Sequence, residues 1–253
     1  MLLRRIYQFL LIYMLGLIVL LVLKYAMGLS DYVIPGPALI LDITRAEIGR
    51  YIVDVTDTLS VAVVGQLLSI VLALTVGIAG RRTSWFGTFV KVAAYNIQAY
   101  PIVALAPIIF ILLGDGFISR LLIAAMICYF PLLLSVLGIM SEPITDIEHF
   151  YLQTGRLRWQ LEIKIRAFEN LHKLTTVVAG SATLAMAGTI VAEFIAANAG
   201  IGYSIRIALY QSDLAKILVA LFAIGITISI YQGLLEYSGA LCHKAWAGGL
   251  PDE

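Results

Sequence analysis

Six runs of 18 to 22 residues in this chain contain no Asp, Glu, Lys or Arg: 6–23, 59–79, 92–113, 121–140, 174–192 and 217–235. A helix needs about 20 mostly apolar residues to cross the hydrocarbon core of a bilayer, where no water satisfies a bare backbone. Barrel strands would alternate apolar and polar side chains over roughly ten residues, and these runs do not alternate. The predicted fold is therefore all-α, a polytopic membrane bundle of six transmembrane helices. Composition agrees. The 253 residues are 61% hydrophobic and only 13% charged, with a mean hydropathy of +0.95, whereas a soluble domain carries roughly 25% charged residues. Too few charges remain to cover a water-facing surface, which excludes a soluble globular enzyme, and the apolar content excludes a disordered chain. Seventeen Lys and Arg against sixteen Asp and Glu give a formal charge of +1, so no basic field points to nucleic acid.

Arg4 and Arg5 precede the first run, but at 18 residues it exceeds the 7–15 of a secretory h-region, and Lys24-Tyr25-Ala26-Met27 offers no A-x-A-like cleavage site. We read it as a retained first span. With the start of the chain in the cytoplasm, the inner segments hold eleven basic residues and the outer segments six. The positive-inside bias then predicts both ends inside. Cys128 and Cys242 form no CxxC and read as small buried hydrophobes.

Two connecting segments are long. The outer one, 27–58, contains Ile34-Pro35-Gly36-Pro37, a turn by its prolines. Beyond it Leu41, Ile48, Ile52, Val55 and Leu59 recur near helical spacing and predict a partly amphipathic helix lying at the outer interface. In the inner one, 141–173, Gly155 separates an apolar group (Ile147, Phe150, Tyr151) from a stripe of Leu157, Leu161, Ile165 and Phe168. Arg158, Glu162 and Arg166 form a second stripe of alternating sign. Two short helices with a glycine joint fit this pattern. They serve either as an interfacial pair on lipid or as a docking surface for a cytoplasmic partner.

Within the spans, Ser181, Ala185 and Thr189 make a small-residue stripe, suited to packing inside one chain or between subunits. The run 92–113 holds Tyr95, Asn96, Gln98, Tyr100, Pro101 and Pro107. Such residues at membrane depth face protein or a watery cavity, so they line a pathway or form kinks and interhelical hydrogen bonds. Glu193 follows an apolar run near the membrane's outer edge. It is either a functional ionisable group or a structural acid held by nearby backbone N–H groups.

The chain has no G-x-x-x-x-G-K-[ST] phosphate loop, no H-E-x-x-H and no G-x-S-x-G. His149, His172 and His243 are dispersed on the inner side. No catalytic constellation and no metal or cofactor site is expected.

Several motifs bear a family resemblance. They are the Ile34-Pro35-Gly36-Pro37 turn; the run from Tyr100-Pro101 through Ala106-Pro107 with Gly114-Asp115-Gly116; Phe130-Pro131; the segment Thr154-Gly155-Arg156-Leu157-Arg158-Trp159-Gln160; and Val191-Ala192-Glu193-Phe194 with Ala199-Gly200-Ile201-Gly202-Tyr203. Together they resemble the membrane-spanning permease subunits of bacterial ABC importers, in the nitrate/sulfonate/taurine-type branch. The resemblance implies a type I ABC importer permease-like fold. It also implies an organisation with residues 1–58 as the first transmembrane helix and outer connection, 59–240 as the permease core and 241–253 as a cytoplasmic tail. It implies no catalysis in this chain, with ATP bound by two cytoplasmic ATPase subunits, an external solute-binding protein, and a pair of permeases in the inner membrane. The inner loop becomes a coupling element, with Gly155, Arg158, Trp159, Glu162 and Arg166 as its docking residues. Gln98, Tyr100, Glu193, Gly200 and Gly202 become pathway or gate residues. His149-Phe150-Tyr151 stands where the family has Glu-Ala-Ala, and Ala167-Phe168 where it has Leu-Pro, which makes the docking surface bulkier and more aromatic.

Two other classes compete. A stand-alone secondary transporter would show internal repeats or several buried charges. An intramembrane enzyme would use Glu193 or Asp115 as acid or base. The topology itself is testable with reporter fusions. A reporter after Glu253, or one between Arg82 and Ser84, is expected to read cytoplasmic, and one near Asp42 external. An external reading after Glu253 would overturn the six-span topology.

Overall fold

The computed structural model describes residues 2–82, 84–141 and 169–247, with Ile165 and Ala167. Among these the chain is helical, without strands. Eight helices follow in order: α1 Leu2–Met27, α2 Pro37–Arg82, α3 Ser84–Gln98, α4 Ile102–Leu113, α5 Phe117–Ser141, α6 Leu171–Ile195, α7 Ile201–Tyr210 and α8 Leu214–Ala247. Among the described residues five are long and apolar enough to cross a membrane, and α3 with α4 forms a sharply bent apolar pair, a broken sixth span or a re-entrant loop. The near face of the bundle is the end where α1 starts, and the far face the end where it finishes.

Two expectations change. The third run, 92–113, is not one helix. It breaks at Ala99-Tyr100-Pro101, and α3 and α4 meet at 86°. Proline locks φ, lacks a donor and pushes the preceding residue out of the α region. Pro101 accordingly sits outside α4 with φ −69° and ψ 102°. The helical spacing seen in the outer segment is real, but it belongs to no separate interfacial helix. Residues 37–58 are the first half of α2, which runs 46 residues without interruption. Its inward-facing Tyr51 and Val55 are buried in one core with Ile201, Val219 and Ala220.

The central layer is α2, α5 and α6. Small residues set its spacing. A Cβ on Gly65 would lie 3.2 Å from the Ala124 side chain, and one on Gly188 would lie 3.0 Å from the Ala124 backbone. The stripe of Ser181, Ala185 and Thr189 is buried within the chain, so it serves packing between this chain's own helices. Gln66, also buried, donates to the Val178 carbonyl at 2.8 Å and to Ser181 Oγ at 2.9 Å, and accepts from the Tyr231 hydroxyl. Polar side chains at this depth need partners inside the bundle, because lipid supplies none. Cys128 is buried beside the Ser181 carbonyl.

α1 rests chiefly on α8. Phe9, Tyr13 and Phe222 form a ring cluster, and a Cβ on Gly225 would collide with Phe9. At the near end Arg5 pairs with Glu236 and donates to Gln232 at 2.9 Å. At the far end Lys24 pairs with Asp31, which also accepts from the Gly36 amide at 3.0 Å. The Lys24 hydrogen bond holds the Asp31 carboxyl below its usual range. Its contribution is therefore present above the ordinary aspartate value and fades as pH falls through the depressed one.

The α2–α3 turn makes the tightest backbone approach at the near face. A Cβ on Gly87 would stand 2.5 Å from the Gly80 carbonyl oxygen. Gly87→Ala is expected to cost about 1–3 kcal/mol through the forced separation of the two helices, seen as a lowered unfolding temperature in detergent. An unchanged temperature would show that the helices do not meet there.

Candidate gate site

The start of α5, the end of α6, the start of α7 and the middle of α2 converge on Glu193. It lies in the last turn of α6 and is fully buried. Its Oε2 accepts from the Thr58 hydroxyl of α2 at 2.8 Å and from the Gly202 amide of α7 at 3.0 Å. Its Oε1 accepts from Arg120 Nη1 of α5 at 3.2 Å. The same Arg120 nitrogen reaches Asp57 Oδ2 at 2.6 Å. Arg120 is itself buried, and its Nε has no partner among the described residues. A buried carboxylate is tolerated only when paired and hydrogen-bonded, and both Glu193 oxygens are.

The local sequence explains why the carboxylate sits there. Helix α7 opens with Gly200 as N-cap, which has no side chain to satisfy the first orphan amides. Thr58 and Glu193 do so from other helices: the Ile201 amide donates to Thr58 Oγ1 at 2.9 Å, and the Gly202 amide to Glu193. The positive end of α7 also faces the carboxylate, a favourable placement for an anion. Gly200 adopts φ +90°, and a Cβ there would fall into the Glu193 carboxylate. A Cβ on Gly202 would stand 2.7 Å from Glu193 Cβ and collide with the Ile190 carbonyl. Glycine is required at both positions.

Supporting contacts close the turn. Arg206 donates to the Ala197 carbonyl at 2.7 Å and the Phe194 carbonyl at 3.3 Å, covering the end of α6. Asn198 donates to Asp115, tying the turn to the α4–α5 connection. Ser204 donates to Asp54, and Arg50 lies 3.7 Å from the same carboxylate.

Of the sequence-predicted gate residues, the structure brings together Glu193, Gly200 and Gly202. Gln98 and Tyr100 stand apart, at the end of α3 and in the bend, and share no hydrogen bond with the cluster among the described residues. The docking residues Gly155, Arg158, Trp159, Glu162 and Arg166 lie outside the described residues. The sequence reading missed Thr58, Asp57 and Arg120. The available signal was positional: each stands just before an apolar run that begins at the far face, level with Glu193 at the end of a run that finishes there. The arrangement is suited to holding helix ends together. Glu193 has no exposed surface and Asp115 is exposed and bonded to Asn198, so the two acids do not share an acid–base site.

The sequence profile described as "Binding-protein-dependent transport system inner membrane component" matches residues 52–237, nearly three quarters of the chain. The chain belongs to this family. Over 143 residues it is 40% identical to a riboflavin transport system permease protein of Chloroflexus aurantiacus, a match covering 55% of this chain and 53% of that protein. Over 205 residues it is 24% identical to a formylaminopyrimidine transport permease protein of Halalkalibacterium halodurans, covering 78% and 79% respectively. The chain thus spans about half the length of the riboflavin relative in that match. Both relatives are transport permeases rather than enzymes, and neither is named for nitrate, sulfonate or taurine. The permease expectation is met at the level of the family. The branch read from the motifs is not the one these names carry.

The Gly200–Glu193 contact predicts a non-additive pair. Gly200→Ala alone is expected to cost about 1–3 kcal/mol by overpacking, and Glu193→Ala about 3–5 kcal/mol by leaving Arg120 underpaired. The double variant should cost clearly less than their sum, because removing the carboxylate removes the clash. Thermal unfolding in detergent measures all three, and strict additivity would refute the contact.

Proposed function

We propose that this chain is the membrane-spanning permease subunit of an ATP-driven importer of a small solute in the bacterial inner membrane. The observation that carries the reading is the family match across 52–237. It covers α3 to α7 and the inner connection, begins within α2 and ends within α8. Two copies form the pathway at their interface, with the near face cytoplasmic and both chain ends inside. Two ATPase subunits bind and hydrolyse ATP, and an external binding protein delivers solute. The inner segment 141–173 docks on the ATPase through Gly155, Arg158, Trp159, Glu162 and Arg166, and closure of the ATPases rocks the bundle between two states. Gln98 and Tyr100 line the pathway, and the Glu193 cluster latches the outer ends of α5, α6 and α7 to the middle of α2.

For the solute, the relatives named for riboflavin and formylaminopyrimidine support a small heteroaromatic compound in preference to nitrate, sulfonate or taurine.

The test is uptake by proteoliposomes holding this chain, its ATPase and its binding protein. Riboflavin and pyrimidine uptake is expected to require ATP. Trp159→Ala and Gly155→Asp should abolish uptake and co-purification of the ATPase, since truncating an aromatic anchor at an interface costs about 2 kcal/mol or more. Glu193→Gln should leave the complex assembled and slow uptake about tenfold, the equivalent of about one hydrogen bond lost from the latch. Uptake that runs on an ion gradient without ATPase would instead establish a stand-alone secondary transporter.

A further inference from the structure

At the near face, on the side opposite the Glu193 cluster, a cavity of about 710 Å³ opens between the start of α1, the start of α6 and the end of α8. Its lining is mixed, and its polar part carries two arginines against one acid: Arg4, Arg5, Gln8, His172, Thr175 and Glu236 contribute to it. Glu236, its one acid among the described lining residues, is already neutralised by Arg5. Arg4 and Gln8 are exposed to the cavity side of α1 and have no hydrogen-bond or ion-pair partner among the described residues. The Thr175 hydroxyl turns back to the His172 carbonyl at 2.9 Å. The donors left for a guest are therefore the Arg4 guanidinium, the Gln8 amide, the His172 ring and the two N–H groups of Arg5 not used on Glu236 and Gln232. That set suits one kind of group, a phosphate, which a guanidinium grips with two parallel hydrogen bonds.

The depth of the cavity selects the source of that phosphate. Arg4 stands two residues before the apolar run of α1, His172 two residues before that of α6, and Glu236 one residue after that of α8. All three mark the level at which hydrocarbon gives way to headgroups. From Arg4 and Gln8 the same face of α1 continues through Leu11, Ile12 and Leu15, at least half exposed on the chain. On α6 the facing stripe runs from His172 through Thr176, Gly180 and Thr183, all exposed. A polar cradle thus leads toward the bilayer centre along an apolar α1 wall, with small residues of α6 opposite. We infer that this cavity binds the phosphate headgroup of an anionic phospholipid, with the acyl chains along the α1–α6 groove. Basic pockets between membrane helices at a cytoplasmic rim suit such lipids. This site is separate from the transport pathway and does not depend on which solute is carried.

The test uses the purified full-length chain in mild detergent, with native mass spectrometry counting retained lipid after addition of phosphatidylglycerol or phosphatidylcholine. Phosphatidylglycerol is expected to be retained at least fivefold more, and to raise the unfolding temperature where phosphatidylcholine does not. Arg4→Gln should erase the preference. Ala240→Phe, which fills the cavity without changing charge, should erase it too, whereas Arg45→Gln, which removes an equal charge at the far face, should leave it intact. Equal retention of the two lipids, an unchanged preference in Arg4→Gln and Ala240→Phe, or an equal loss in Arg45→Gln would each overturn the site. Stabilisation by millimolar inorganic phosphate equal to that by phosphatidylglycerol would reassign the cavity to free phosphate and overturn the lipid assignment.

Discussion

A carboxylate with no exposure to solvent must find its stabilisation in the protein, and Glu193 finds it on three other helices at once. Thr58 belongs to α2, Arg120 to α5 and the Gly202 amide to α7. Each partner has its own further obligation: Thr58 caps the Ile201 amide and Arg120 holds Asp57. The site is thus a closed circuit in which removing any member leaves a buried group unsatisfied, at a typical cost of a few kcal/mol. The positions of α7 and of the α6–α7 turn follow from it. Gly200 and Gly202 are the steric complement of that circuit, because a side chain at Gly200 would occupy the space the carboxylate fills and one at Gly202 would strike the α6 backbone beside it.

The near half of the bundle is held by different means. Gln66, Tyr231, Ser181, Gln232 and Thr183 form neutral hydrogen bonds across α2, α6 and α8. Neutral pairs carry a smaller desolvation cost than ions, and each is worth about 0.6 kcal/mol on average in a membrane. The far face thus carries a buried cluster of charged contacts, while the near half combines these weaker neutral bonds with the partly exposed Arg5–Glu236 pair.

Much of this was legible in the sequence, for a physical reason. Lipid forces the backbone to satisfy itself, so the length of charge-free runs maps onto helices almost without reference to tertiary structure. Five of the six runs correspond to continuous helices. The exceptions are equally physical. Pro101 lies inside a charge-free run, so hydropathy treats it as one more span while the backbone breaks there. The 46-residue length of α2 was hidden because its outer half carries Asp42, Arg45, Glu47 and Arg50, which halt a hydropathy count but not a helix. Glu193 with its two glycines was readable as a local motif. Arg120 and Thr58 carried only the positional signal of two apolar runs starting at the same level; they lie 73 and 135 residues from Glu193 along the chain, and only the fold brings them into contact.

The continuity of α2 has a mechanical consequence. At 1.5 Å per residue its 46 residues form a rod about 69 Å long, with no proline after its first position. Gly65 lies close against Ala124 of α5 part-way along and divides the rod into two arms. Thr58 and Asp57 lie on one arm, and Gly77 and Gly80 lie on the other, packed against Val136 and Leu137. A rod without a hinge cannot absorb a tilt by bending locally. For a tilt about the Gly65–Ala124 contact, displacement of the arm near Gly80 would reappear, reversed in direction, at the Thr58 hydroxyl and Asp57 carboxylate that hold Glu193 and Arg120.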